Sequence, residues 1–128
     1  METKKLPSGA VLSLTMAPFQ DGHRLMKAVA REIEGVKITG DFLKEPDAIK
    51  NIIMRAIYSE DVELALKPCL ARCSYNKQQI TEDAFEDEKA RGDFLPVVKE
   101  VMVYNLTPFF GSLSSLLKDI KGQVPGQQ

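Results

Sequence analysis

The stretch from Arg91 to Gly122, RGDFLPVVKEVMVYNLTPFFGSLSSLLKDIKG, is the longest apolar region of the chain and decides the fold. In its first half, apolar residues recur at three- and four-residue steps, the spacing of one helix face. These residues are Phe94, Val97, Val98, Val101 and Met102. Asp93 is the predicted N-cap, and Pro96 falls in the predicted first turn, where a missing N–H costs little. The pattern therefore predicts a helix that begins after Asp93.

Pro108 is predicted to end or kink this helix, because its ring clashes with the preceding turn. A second helical phase follows, with Gly122 as its predicted C′ residue. Its apolar positions form the candidate partner-binding surface, which we call the C-terminal stripe. The C-terminal stripe consists of Phe109, Phe110, Leu113, Leu116, Leu117 and Ile120. A core role and exposure to a partner helix both fit this pattern, since a stripe looks the same in either case.

The length and composition predict one globular domain over residues 1–122, followed by a flexible tail at 123–128. Hydrophobic residues make up 44% of the chain and charged residues 27%, and the net charge is −1. Such a balance argues against binding nucleic acid through bulk charge. No apolar run approaches the length of a membrane span, and the opening METKKLPSGA does not resemble a signal peptide. We therefore expect a cytoplasmic protein that contacts neither nucleic acid nor membrane.

The rest of the chain predicts a mainly α (α+β) fold, a small domain of about five helices with an N-terminal β-strand or hairpin. Alternation over Val11–Met16 predicts a strand, and the Pro-Ser-Gly turn before it allows a hairpin with Thr3–Leu6. A first helix is predicted over Phe19–Ile33 and a second from Pro46 to Tyr58. A third begins after Ser59, and Pro68 is predicted to interrupt it.

The sequence holds no arrangement of residues typical of an active site, a cofactor site or a metal site. There is no phosphate-binding glycine loop, no nucleophile elbow and no zinc motif. Cys69 and Cys73 have no further ligands at zinc-site spacing, and His23 is the only histidine. We expect both thiols to be buried as small apolar groups, with metal or redox chemistry as the alternative. We therefore predict no enzyme activity and no cofactor.

An acidic segment follows a predicted Tyr75-Asn76-Lys77 turn. It begins after Thr81, a predicted cap, and carries five carboxylates, from Glu82, Asp83, Glu86, Asp87 and Glu88. The spacing does not match a calcium-binding loop. A solvated acidic face is the simple interpretation, and a docking surface for a basic partner is the alternative.

Three stretches together resemble the tail assembly chaperones of long-tailed, non-contractile bacteriophages and prophages. They are LPSGAVLSLTMAPFQDG at 6–22, ALKPCLARCSYNKQQIT at 65–81 and EDEKARGDFLPVVKEVMVYNLTPFF at 86–110. Their order also fits that family: a strand entering through an Ala-Pro-Phe step, a Cys-x-x-x-Cys segment before a turn, and a long C-terminal helix. The resemblance is one of overall pattern, because the family has no diagnostic catalytic motif.

The resemblance implies a mainly helical protein that binds the tape measure protein during assembly of the tail tube. It also implies that the protein keeps this client soluble in the host cytoplasm and is absent from the finished virion. The tail tube protein is a further expected partner, and self-association along the client is expected. The C-terminal stripe, or the groove beside the Arg91–Asn105 helix, is the expected client surface. The alternative is a minor structural tail or connector protein that stays in the particle.

Overall fold

The computed structural model describes residues 1–32, 51, 54–55 and 58–123, with side chains as far as Phe109 in the last helix. The second predicted helix, from Pro46 to Tyr58, lies mostly outside the described residues. Four strands and three helices occur among the described residues. In chain order they are β1 Glu2–Lys5, β2 Val11–Leu14, α1 Phe19–Glu32, α2 Glu60–Leu70, β3 Ser74–Tyr75, β4 Gln78–Gln79 and α3 Glu88–Gln123.

Two hairpins join into one antiparallel sheet with the strand order β1-β2-β3-β4. In the first, Glu2 pairs with Leu14 and Lys5 with Val11, which confirms the predicted N-terminal hairpin. The second joins the first where Leu12 pairs with Tyr75. Leu12 and Leu14 are buried while Val11 is exposed, so β2 turns its leucines to the core as its alternation predicts.

Both hairpin turns use backbone conformations that their residues allow. Gly9 has a φ of 95°, which supplies the left-handed conformation that the first turn needs. In the second turn, Asn76 and Lys77 both have positive φ, of 49° and 69°. Two successive positive φ values are typical of the turn that matches the twist of a two-residue hairpin. The predicted turn at Tyr75-Asn76-Lys77 is therefore confirmed.

The helix α1 matches its prediction through Glu32, and α2 departs from its prediction at one proline. In α1, Leu25 and Val29 are fully buried. The Ser59 side chain caps α2 by accepting a hydrogen bond from Val62 N at 3.2 Å. The prediction that Pro68 interrupts α2 was wrong, because the helix continues to Leu70. Its buried face, formed by Val62, Ala65, Leu66 and Cys69, stabilises the last turn against the lost hydrogen bond.

The long helix α3 begins earlier than predicted. Asp87 precedes Glu88 and accepts a hydrogen bond from Lys89 N at 3.1 Å, so Asp87 is the N-cap. The predicted cap, Asp93, and the predicted first-turn residue, Pro96, both lie inside the helix. The prediction failed because several carboxylates in EDEKARGD are equally suited to capping.

Pro108 also lies inside α3, which runs to Gln123. Of the two alternatives predicted for Pro108, an end of the helix was wrong, and so was the predicted helix end at Gly122; the two predicted helical segments belong to one helix. About five helices were predicted, and three occur among the described residues. Two of the predicted helices are one, and the second predicted helix lies mostly outside the described residues. The predicted α+β class is confirmed. Of the predicted tail at 123–128, Gln123 belongs to α3, and 124–128 lie outside the described residues.

The core lies between the sheet, α1, α2 and the middle of α3. From α3 it receives Val97, Val98, Val101, Met102 and Leu106, all at most 5% exposed. Phe94 was predicted to share this face, but it is 38% exposed. Each buried aliphatic side chain contributes about 1.5–3 kcal/mol, so this face outweighs the roughly 3 kcal/mol that each internal proline costs.

Two buried polar side chains connect α3 to the sheet. Asp93, 1% exposed, accepts hydrogen bonds from Ser8 N at 3.3 Å, from Ser8 Oγ and from Tyr75 Oη at 2.7 Å. Asn105 accepts from Ala17 N at 3.0 Å and donates to Val101 O at 2.8 Å. These bonds fix the first hairpin turn, the second hairpin and the exit from β2 to one helix.

Burial alone would raise the pKa of Asp93, but the hydrogen bonds from Ser8 and Tyr75 outweigh it and hold the pKa below its usual 3.8. A carboxyl group whose pKa is lowered by folding stabilises the folded state above its unfolded pKa. That contribution is lost as the pH falls through the folded pKa.

We predict that Asp93→Asn lowers the free energy of unfolding by about 1.5–3 kcal/mol at neutral pH, the usual worth of hydrogen bonds to a charged group. The difference from the wild type should shrink as the pH falls below 3.8. Urea unfolding followed by circular dichroism measures both effects. Asp83→Asn, at an exposed position, is the matched control. A difference that stays constant down to about pH 2 would contradict this role for the carboxylate.

Candidate functional site

The C-terminal stripe lies on an unbroken helix. Because α3 passes through Pro108, positions 109, 113, 116 and 120 recur at helical steps on a single rod. From Phe109 to Gln123 the helix adds about 21 Å at ~1.5 Å per residue. The side chain of Phe109 is described, and those of Phe110, Leu113, Leu116, Leu117 and Ile120 lie outside the described side chains.

Phe109 sits against α1 and forms the base of the stripe. Its ring centroid lies 5.9 Å from that of Phe19 and 6.2 Å from that of His23. Phe109 Cε2 would be 3.4 Å from a β-carbon on Gly22, so the absence of a side chain there lets the ring approach α1 closely. Phe19 stacks on His23 at 5.3 Å yet is 70% exposed, so this corner keeps an apolar surface.

A second apolar surface lies between α2 and the first turns of α3, and we call it the α2–α3 groove. Its cavity measures about 440 Å³. The apolar side chains that line it are Leu66, Leu70, Ala71, Ile80, Phe85 and Phe94. The charged side chains Glu63, Lys67 and Glu82 also line it, and all three are exposed. Of the Arg91–Asn105 segment, Phe94 lines this groove.

Two aromatic rings, Phe85 and Phe94, form one wall of the groove, and the ring of Tyr75 packs against Phe85 from outside the groove. The centroids of Tyr75 and Phe85 are 6.0 Å apart, and those of Phe85 and Phe94 are 5.0 Å apart in edge-to-face contact. The Tyr75 hydroxyl is itself held by Asp93 at 2.7 Å. Sequence analysis missed this wall, because the three rings belong to separate elements and no local pattern joins them.

A further cleft of about 320 Å³ lies between the first hairpin and α3. Leu14, Met16, Val103, Tyr104 and Pro108 line it, together with the charged residues Glu2, Lys4 and Glu100. The edge strand β1 borders this cleft, and all four of its residues, ETKK, are exposed. Charged edge strands disfavour pairing with another strand, so β1 is poorly suited to strand addition.

Both cysteines are buried free thiols, as predicted. Cys69 Sγ lies 3.7 Å from Ala65 O and 3.9 Å from Asp21 O, and Cys73 Sγ lies 3.6 Å from Cys69 O. Burial, with a smaller effect of Asp21, raises the pKa of Cys69 to about 11. Burial also raises the pKa of Cys73. Within the described ranges, no cluster of three or more His, Cys, Asp or Glu side chains is placed to hold a metal ion.

The described residues form a small α+β domain with an apolar groove beside the first turns of its long helix and an apolar corner where Phe109 meets α1. A family model described as phage tail assembly chaperone protein, TAC, matches residues 22–117 of the 128. The match spans all of α2, the second hairpin and most of α3, well over half of the chain. The chain belongs to this family of phage tail assembly chaperones, which confirms the resemblance seen in the sequence.

Searches of curated proteins and of solved structures gave no significant match. Among the helices of the described residues, none is long and apolar enough to cross a membrane.

We predict that both thiols react slowly in the native protein. With a pKa of about 11, Cys69 is about one part in a thousand thiolate at pH 8, and only the thiolate attacks. Labelling by an aromatic disulfide reagent should be at least about 100-fold slower in buffer than in concentrated urea. Each single variant, Cys69→Ser or Cys73→Ser, keeps one thiol, so its labelling rate is the rate of the cysteine that remains. Immediate labelling of both native thiols would show that this face of α2 is open.

Proposed function

We propose that this chain binds the tape measure protein of its phage and keeps it soluble in the bacterial cytoplasm while the tail tube assembles. In this proposal the chain acts by binding and not by catalysis. It needs no cofactor, and nucleic acid and membrane are not partners. It self-associates along the client, also meets the tail tube protein, and leaves before the virion is complete.

The observation that carries the proposal is the continuity of α3 through Pro108 to Gln123. A client with apolar helical stretches needs a partner that offers a long apolar helix face in return. The sequence supplies that face at helical spacing from Phe109 to Ile120. Membership of the tail assembly chaperone family supports the same interpretation.

The packing of Phe109 against α1 also supports the proposal. It holds the base of the stripe against α1, so the helix beyond it starts from a fixed point. A binding element with a fixed base loses less conformational entropy when it binds than a free segment does. The stripe thereby combines an anchored start with about 21 Å of further helix.

We predict that Leu113→Asp combined with Leu117→Asp abolishes solubilisation of the tape measure protein. Two carboxylates in the stripe would have to be desolvated by an apolar client, which is strongly unfavourable. Co-expression with the tape measure protein encoded by the same phage, followed by size exclusion with light scattering, measures the soluble complex. The wild type should give a complex with several copies of this chain per client.

The matched control is Ser115→Asp combined with Lys118→Gln, which makes the same change of two units of net charge at positions on the side of the helix opposite the stripe. Its complex should equal that of the wild type, and circular dichroism should show both variants folded. An intact complex with the leucine variant would remove the stripe from the mechanism.

Mass spectrometry of purified virions should find this chain missing, and its presence would favour the structural-protein alternative.

A further inference from the structure

We propose that the α2–α3 groove binds a helical segment of the tape measure protein that carries Lys or Arg residues beside its apolar anchors. This inference rests on the proposed function, because it takes the same client. It adds a second contact surface, at the opposite end of α3 from the C-terminal stripe, and it states the chemistry of the segment bound there.

The shape and lining of the groove suit a helix. Its cavity of about 440 Å³ falls within the ~300–1,000 Å³ typical of binding pockets. The floor is buried at Leu66 and Ile80, whereas Phe94 at the edge is 38% exposed. An amphipathic helix inserts apolar residues at three- and four-residue steps into such a groove.

The aromatic wall is held in place before any partner arrives. Tyr75 is fixed by its hydrogen bond to Asp93, and its ring contacts Phe85, which in turn contacts Phe94. A wall that is already ordered loses little entropy on binding. The buried carboxylate that connects the sheet to α3 thus also fixes one side of the groove.

The charges around the groove select the partner. The connecting segment 81–87, TEDAFED, holds four carboxylates and no basic residue, although the whole chain has a net charge of only −1. On α2, Glu63 and Lys67 line the groove, so with Glu82 its charged lining is two carboxylates and one ammonium group. Part of the charge of the connecting segment is paired, since Glu86 contacts Arg91 at 3.4 Å.

The two carboxylates that line the groove itself, Glu63 and Glu82, make no ion pair with any side chain in the described part of the chain. Negative charge beside an apolar groove is complementary to a helix with basic residues flanking its apolar face. An acidic helix would instead meet like charges, which is the repulsion that gives specificity.

The groove and the stripe are spaced to act on one client. Phe94 and Leu113 are about 28 Å apart along α3 at ~1.5 Å per residue. Two linked contacts on the same client raise the effective concentration of the second after the first has formed. One chain would thereby hold a client helix of comparable length at two points.

The test uses two synthetic helical peptides of about 18 residues with the same leucine positions, one flanked by Lys and one by Glu. Fluorescence anisotropy with the full chain at low salt should give a Kd at least about tenfold lower for the Lys peptide. Glu63→Lys combined with Glu82→Lys should reverse that preference. Phe94→Ser, at the partly exposed edge, should weaken binding of the Lys peptide about tenfold.

The matched control is Glu2→Lys combined with Glu32→Lys, which makes the same change in net charge away from the groove. It should keep the preference of the wild type. Equal affinity for both peptides, or a preference that survives Glu63→Lys with Glu82→Lys, would overturn the proposal. Light scattering that shows a wild-type dimer dissociated by the same double variant would also overturn it, because a second copy would then occupy the groove.

Failure of this inference is separable from failure of the proposed function. If the wild type keeps the tape measure protein soluble and the groove variants do so equally well, only the groove is wrong. If the wild type gives no soluble complex, the proposed function is wrong. In that case the peptide measurement, which does not use the tape measure protein, still tests whether the groove prefers a basic helix.

Discussion

The fold depends on one buried carboxylate. Asp93 accepts hydrogen bonds from the first hairpin turn through Ser8 and from the second hairpin through Tyr75. Two short hairpins have little stability alone, so the sheet must be fixed to a helix. A buried charge is tolerated only when its hydrogen bonds are satisfied, and here three donors satisfy it. One residue of α3 thereby orders the sheet and one wall of the α2–α3 groove.

The packing of α3 against the rest of the protein also explains why this helix is so long. Prolines at 96 and 108 each remove a hydrogen bond and strain the preceding turn. Between them lie Val97, Val101, Met102 and Leu106, all buried, and Asn105, which also bonds to Ala17 beyond β2. Because this middle section is fixed to the rest of the protein on one face, the helix persists on both sides of it. Local propensity is overridden by tertiary packing.

Sequence reasoning recovered what is local and missed what is long-range. The first hairpin, the Tyr75-Asn76-Lys77 turn, the start of α1 and the buried thiols follow from turn residues and short periodicities. The errors at Pro68, Asp93 and Pro108 share one cause: each judged a single residue by its usual local role. The burial of Asp93 depends on Ser8, 85 residues away, and no local pattern reveals that contact. The aromatic wall of the groove was missed for the same reason.

An assembly chaperone must hold its client firmly and then release it, and a single tight site suits only the first task. Two weaker surfaces on one helix, as proposed for this chain, suit both tasks, because their linkage gives strong joint binding while each contact dissociates quickly on its own. The α2–α3 groove, with its exposed carboxylates, and the C-terminal stripe, with its apolar sequence, differ in chemistry. If the proposed function holds, displacing the client from one surface removes the benefit of linkage and weakens the other contact. Because α3 carries both proposed surfaces, it would connect capture of the client with its release.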